Sequence, residues 1–250
     1  MKASWQHASA IVGLLLVWQL AVSVGRWPPY VLPGPLTVVG SLIDGVVSGA
    51  LPAAVLRSLA RLSVGYGLAS AAGVSFGIAM GRVPALDRAF GTLLTGLQSL
   101  PSICWMPLSL LWFGLNESAI LFVVVIATFG TVALAVRDSV FRVPRLWLRA
   151  ARSMGERGLG LWLRVVLPAS LPGTITALRL GWSFAWRALM AGELLFVAGG
   201  LGQVMHVGRE LNDMAQVMAA MLVIASLGLV FDHVVLGWIE ARTRRRWGLG

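Results

Sequence analysis

The sequence predicts an all-α, polytopic membrane protein of six transmembrane helices, with a helix–glycine–helix elbow on the cytoplasmic side. Three observations predict it. Of 250 residues, 58% are hydrophobic and only 12% charged, with mean hydropathy +0.83; a soluble domain of this length carries about twice that charged fraction. The apolar residues gather into six blocks, each close to the roughly 20 residues that a bilayer-spanning helix needs. Most of the basic residues lie beside these blocks rather than within them. The net charge of +10 therefore reads as membrane orientation rather than as a nucleic-acid surface.

The whole chain, 1–250, reads as a single transmembrane domain with spans at about 8–25, 60–81, 89–114, 118–136, 174–198 and 215–238. The first follows Met1 and Lys2, but no small-residue cleavage site leads from it into a soluble domain, so a retained helix is expected. Trp27 and Tyr30, with Pro28 and Pro29, mark its far end as an interfacial aromatic belt would. In the second, Gly65, Ala69, Gly73, Gly77 and Gly81 recur every four residues and form one stripe of small side chains, which lets another helix approach closely. In the third, Pro101 and Pro107 interrupt the helix. Carbonyls freed at membrane depth are tolerated only inside protein or along a wet cavity. Gln98, Ser99, Pro101 and Trp105 are therefore candidate translocation-pathway residues, a merely kinked helix being the alternative.

After the fourth span the chain turns basic. Residues 137–164 hold seven arginines (Arg137, Arg142, Arg145, Arg149, Arg152, Arg157 and Arg164) against Asp138 and Glu156, a net of +5. Pro144 suits a first helical position. Beyond it Leu146, Trp147, Ala150, Ala151 and Met154 fall on one helical face, and Arg145, Arg149 and Arg152 on another. Gly155 and Gly158 free the backbone for a left-handed turn. A second short helix, about 159–167, is expected to stop before Pro168. The elbow thus occupies 144–168. Physics alone leaves it two uses, resting on lipid headgroups or docking against protein.

The fifth span carries Arg187 and Glu193, and intramembrane charges usually mark a pathway or a buried pair. Six residues apart on a helix is about 120° of rotation and 9 Å of rise, so the two are not a one-turn pair. Glu193 is a further candidate for the translocation pathway, the alternative being that it lies near the outer end and is solvated there. Arg187 lies deeper, either as a structural anchor or as a substrate contact. Around the sixth span the charge is uneven. Glu193, Arg209, Glu210 and Asp213 sum to −2 before it, and Arg242, Arg244, Arg245 and Arg246 follow it. The positive-inside rule then places 137–164 and both termini in the cytoplasm and 199–214 outside. Arg57 and Arg61 fall at the outer end of span two, where they are expected to snorkel.

Absent patterns narrow the function. Cys104 has no partner, and His7, His206 and His233 are scattered, so neither a disulfide nor a metal site is expected. There is no phosphate-binding loop of the G-x-x-x-x-G-K-[ST] type; "GGLGQ" at 199–203 lacks the lysine and reads as a turn. No catalytic constellation of serine, cysteine or carboxylates appears. Three classes of membrane protein stay open at this point: a transport subunit, a membrane-embedded enzyme and a stand-alone secondary transporter. The last would show repeats with broken helices around an ion site.

The basic segment resembles the EAA loop of the membrane subunits of ATP-binding-cassette (ABC) importers. Ala150 and Ala151 precede Gly155 by the family's spacing, and after nine intervening residues Val165 stands in the isoleucine position, with one residue between it and Leu167-Pro168. Arg149 stands where the family often has glutamate. Four further stretches, "LPGPLTVVGSL", "SLARLSVGYGLASAAGVSFGIAMG", "LQSLPSICWMPLSLLWFGLNESAILFVV" and "LRLGWSFAWRALMAGELL", resemble in order the permeases of the nitrate, sulfonate and taurine group. The resemblance implies a type I ABC importer permease fold in which the elbow is the coupling helix. Arg149, Ala150, Ala151, Gly155, Glu156, Leu167 and Pro168 would then meet the ATPase. The implied function is a non-enzymatic permease for a small anion such as nitrate, a sulfonate or taurine, a neutral or aromatic compound being the alternative. No cofactor is implied in this chain, since ATP and Mg would bind the partner subunits. Implied partners are a second copy of the chain, two ABC ATPases and a periplasmic or lipid-anchored solute-binding protein. The implied location is the bacterial inner membrane.

Overall fold

A computed structural model describes residues 2–25, 27–28, 30–195 and 199–246. Residues 196–198 of the fifth expected span, and Pro29 of the aromatic belt, lie outside the described residues. Among these residues the chain is helical and carries no strand. In chain order the helices are α1 (Lys2–Gly25), α2 (Pro35–Val47), α3 (Ala50–Arg82), α4 (Pro84–Gln98), a 3₁₀ turn (Ser102–Trp105), α5 (Met106–Phe113), α6 (Glu117–Phe141), α7 (Arg145–Ser153) and α8 (Gly158–Leu161). A π turn (Trp162–Val166) leads into α9 (Leu167–Leu195). Then come α10 (Leu201–Glu210), α11 (Met214–Val230), a second π turn (Phe231–Leu236) and α12 (Gly237–Arg246). Four continuous helical stretches among the described residues are long and apolar enough to cross a membrane: Ala50–Arg82, Glu117–Phe141, Gly158–Leu195 and Met214–Thr243. Val12–Gly25, Pro35–Val47 and Ser102–Phe113 are shorter apolar helices.

The described chain falls into two compact units. The first comprises the residues up to Ser58 and those from 197 to 226. Within it the Trp18 indole donates to the Pro33 carbonyl (3.2 Å), holding the end of α1 to the segment that enters α2. The Leu201 amide, at the start of α10, donates to the buried Ser58 hydroxyl (2.9 Å). Asp213 caps α11 by accepting from the Gln216 amide (3.0 Å), as an acidic N-cap should. The "GGLGQ" stretch supplies a turn as expected, with Gly199 at φ +74° and α10 beginning at Leu201.

The second unit, 59–196 with the residues from 227, is built around α6. This helix opens on Asn116, whose side chain accepts from the amides of Ser118 and Ala119. Its β-branched run Val123, Val124, Val132 and Val136 is fully buried. The small-residue stripe of α3 lies against it. A Cβ on Gly65 would come 2.9 Å from Val124, one on Gly73 2.9 Å from Val132, and one on Gly81 2.7 Å from Val140. At Gly77 it would stand 2.5 Å from the Ala133 carbonyl oxygen. The two number series climb together, so α3 and α6 run parallel. On its other side α6 meets α9 antiparallel, with Gly173 against Ser139, Gly181 against Val132 and Gly192 against Ile120.

Three expectations are corrected here. The third span, 89–114, is not one helix: α4 ends at Gln98, and a new start follows Pro101, which has no N–H to continue the ladder. The freed carbonyls are re-used by tight turns, Ser99 N–H donating to Gly96 (3.2 Å) and Leu100 N–H to Leu97 (3.3 Å). Pro107, by contrast, interrupts nothing; it stands in the first turn of α5, where a missing N–H leaves no bond unmade. Nor does the second arm of the elbow stop before Pro168. The helix widens through Trp162–Val166, where the Leu167 amide reaches back to the Trp162 carbonyl, and continues into α9. The wide turn moves the preceding carbonyls out of register with the proline ring, which removes the clash that would break a regular helix.

Candidate functional site

A cavity of about 520 Å³ opens beside the break between α4 and α5. Its wall includes Gln98, Ser99, Pro101 and Trp105 from the break, Ile126, Phe129 and Gly130 from α6, and Phe184 and Arg187 from α9. The volume falls within the usual range of small-molecule pockets. The non-helical backbone at 99–101 lines this space, the circumstance in which irregular backbone is tolerated in a membrane protein. Gln98 is held in place, its Oε1 accepting from the Thr131 hydroxyl (2.7 Å). Gly130 leaves room for that side chain, since a Cβ there would collide with the Gln98 amide.

Arg187 is the one charged residue among those lining the cavity. Its Nε donates to the Ser183 carbonyl one turn back (3.0 Å), and the guanidinium lies over the Phe184 ring, 4.7 Å from the centroid. The side chain is exposed, and among the described residues no carboxylate lies within ion-pair distance of it. A guanidinium fixed by one backbone bond and a ring face keeps further N–H donors for a ligand.

Glu193 is not among the cavity's lining residues, and it is not solvated either. It is fully buried (0% exposed) and accepts from Arg61 Nη1 at 2.9 Å. Arg61, 7% exposed, does not snorkel; it turns inward from α3 and also meets Glu117 at 2.8 Å. The physical reason is that an ion pair satisfied inside the bundle removes two charges from lipid at once.

The elbow packs through one edge. Val140, Val143 and Val166 form its buried anchor, joined by Leu148, Trp162 and Ala169. Ala151 is buried, whereas Leu146, Trp147, Ala150 and Met154 are exposed, so the expected apolar face is divided between inside and outside. Gly155 adopts φ +92° and Gly158 φ +54°. Glu156 N–H donates to the Ala151 carbonyl (3.0 Å) and Gly155 N–H to that of Arg152 (3.1 Å), the paired bonds of a Schellman turn. Glu156 also joins the two arms, accepting from Arg164 Nη1 at 2.7 Å. Arg149 is exposed, and Leu167 and Pro168 are half-buried in the continuous second arm.

Two charge clusters escaped the sequence reading. Arg179 of α9 forks onto Asp232 (2.9 and 2.8 Å) and reaches Glu240 (2.9 Å), which also accepts from the Thr176 hydroxyl. Arg137 meets Asp138 at 2.8 Å and Asp87 of α4 at 3.2 Å. The signal for the first was available: Arg179 and Asp232 interrupt the fifth and sixth apolar blocks with opposite charge. Among the described residues no group of three or more histidines, cysteines or carboxylates could hold a metal ion.

Comparison with known proteins gives the chain's family and fold. Residues 71–247 match the family model described as binding-protein-dependent transport system inner membrane component. A protein of Methanocaldococcus jannaschii named as an ABC transporter permease is 34% identical over 225 residues, covering 88% of this chain and 84% of the relative. The taurine transport system permease protein of Escherichia coli is 30% identical, over 88% of this chain and 82% of its own length. Among solved structures, the inward-facing MetNI methionine ABC transporter superposes with a TM-score of 0.68 at 18% identity, covering 78% of this chain and 96% of the matched one. That likeness establishes the fold.

Proposed function

This chain belongs to the family of binding-protein-dependent transport system inner membrane components, a permease subunit rather than an ATP-hydrolysing one, and from that premise we propose that it forms the translocation pathway of an ABC importer for a small anion. The observation that carries the reading is the cavity at the α4–α5 break. It gathers Gln98, Ser99, Pro101 and Trp105 around Arg187, a cation with no ion-pair partner among the described residues. Donor-rich guanidinium facing an otherwise mostly apolar wall suits a compact oxyanion such as a sulfonate. The taurine transport system permease of E. coli, a relative, is named for a solute that carries that group. The pathway would be completed by a second copy of the chain. Two ATPase subunits, holding ATP and Mg, would dock on the elbow at Arg149, Ala150, Ala151, Gly155, Glu156, Leu167 and Pro168. A solute-binding protein would deliver the anion from outside. Charge supports this orientation, since the basic segment 137–164 favours the cytoplasm, and with it both termini. Glu193 supports the reading as the buried counter-charge of Arg61 rather than as a lining residue.

The test is Arg187. In proteoliposomes holding the assembled transporter, Arg187→Ala is expected to slow uptake of an anionic solute at least tenfold, the loss of one charge-assisted contact. Arg187→Lys should recover part of it, since charge survives while the planar fork is lost. Assembly with the ATPase should be unchanged. Full uptake by the alanine variant would remove Arg187 from the pathway. A misassembled alanine variant would make it a structural anchor.

A further inference from the structure

Of the seven arginines in residues 137–164, two are paired within the chain, Arg137 with Asp87 and Asp138, and Arg164 with Glu156. Arg142, Arg145, Arg149, Arg152 and Arg157 are exposed, and among the described residues none has an ion-pair partner. Their placement on α7 is unfavourable for the elbow by itself. Arg145 and Arg149 stand at i, i+4 and Arg149 and Arg152 at i, i+3, so like charges are neighbours. Arg145 also sits in the first turn, where no acidic residue offsets the positive end of the helix dipole. Such a cluster is electrostatically incomplete until something acidic covers it.

The geometry distinguishes what that cover is. An interfacial helix turns its apolar face into the acyl chains and its basic face to the headgroups. Here the inward edge of α7 is already taken by Leu148 and Ala151, packed on the chain's own core. The outward surface mixes the two chemistries: Leu146, 72% exposed, neighbours Arg149 one turn on, and Met154, 85% exposed, projects beside the Schellman turn. Apolar knobs set among arginines, on a turn held rigid by its own hydrogen bonds, match a protein groove with an apolar floor and a charged rim.

We infer that the groove which receives this elbow is acidic, its carboxylates facing Arg145, Arg149, Arg152 and Arg157. The inference rests on the reading that the elbow docks on the ATPase, and it adds the chemistry of the partner's surface. At residue 149 it assigns the partner a carboxylate, since the arginine there carries the charge opposite to the glutamate that the family often has.

The experiment measures binding of the partner ATPase subunit to the permease in nanodiscs of neutral phosphatidylcholine, at low and at high salt. The wild type is compared with Arg149→Glu, Arg149→Lys, an Arg149→Glu/Arg152→Glu double variant and Met154→Asp. The double charge reversal is expected to weaken binding at least tenfold and to flatten its salt dependence, as loss of close charge pairs does. Arg149→Lys should stay within about threefold of wild type, because it preserves the charge. If charge reversal leaves affinity and salt slope unchanged while Met154→Asp abolishes binding, the elbow docks but the groove is not acidic, and the inference is overturned. If neither matters, the docking reading itself fails. Should charge reversal matter only after anionic phosphatidylglycerol is added, the arginines serve the lipid surface, which also overturns the inference.

Discussion

The α3–α6 contact and the elbow, both within the second unit, handle glycine and arginine in opposite ways. Along α3 the glycines keep helical geometry and matter for what they lack: a Cβ at Gly77 would stand 2.5 Å from a backbone oxygen of α6. In the elbow Gly155 and Gly158 have nothing within 4 Å of a Cβ; they matter for their backbone, at φ +92° and +54°. The arginines divide likewise. Arg61 is buried between two carboxylates, while Arg149 is exposed without an ion-pair partner among the described residues. One contact completes its charge inside the chain, and the other leaves its charge at the surface.

The sharpest way to break this contrast is at Arg61. Arg61→Ala takes away the Nη1–H that the fully buried Glu193 accepts, and breaking a buried ion pair costs about 3–5 kcal/mol. The expected outcome is low membrane yield and a melting temperature in detergent well below wild type. A normal melting curve would show that Glu193 does not depend on this pair. Next in size is Gly77→Ala, which forces α3 away from the Ala133 carbonyl. Overpacking of that kind costs about 1–3 kcal/mol, read in the same melting experiment. Gly67, also in α3, has open space around its Cβ position, so Gly67→Ala is the control and should be neutral or slightly stabilising.

The smallest effect on stability is expected in the elbow, where the effect on function should be large. Proline at 155 cannot adopt φ +92° and lacks the N–H that Gly155 donates to Arg152. Because the turn is exposed and the core lies elsewhere, Gly155→Pro should lower stability by only about 1–2 kcal/mol, the size of the two solvent-exposed turn bonds that the incompatible φ undoes. Substrate-stimulated ATP hydrolysis in the reconstituted transporter should nevertheless be lost. Normal stimulation would leave the elbow without a role in coupling, and a large drop in melting temperature would erase the contrast between the two regions.

The sequence by itself determined whatever depends on local pattern. Apolar block length marks the long helices, four-residue spacing marks the stripe on α3, and two glycines after a basic helix mark the left-handed elbow. In each case the cause lies within a few residues of its effect, in helical period or in the steric freedom of glycine. Positions 98, 99, 101 and 105 were legible as one place for the same reason, since a single proline break brings them together. Only the tertiary structure decided which charges meet. Arg61 and Glu193 are 132 residues apart, and each alone reads as an interfacial residue; only the packing of α3 and α9 on α6 makes them a pair. Arg187 joins the α4–α5 break for that reason, across a cavity that no local signal contains. Pro168 is the converse case. Its local rule says stop, yet the helix continues, because a π turn moves the clashing carbonyls aside and the packing of Val166 and Ala169 holds the arm in place.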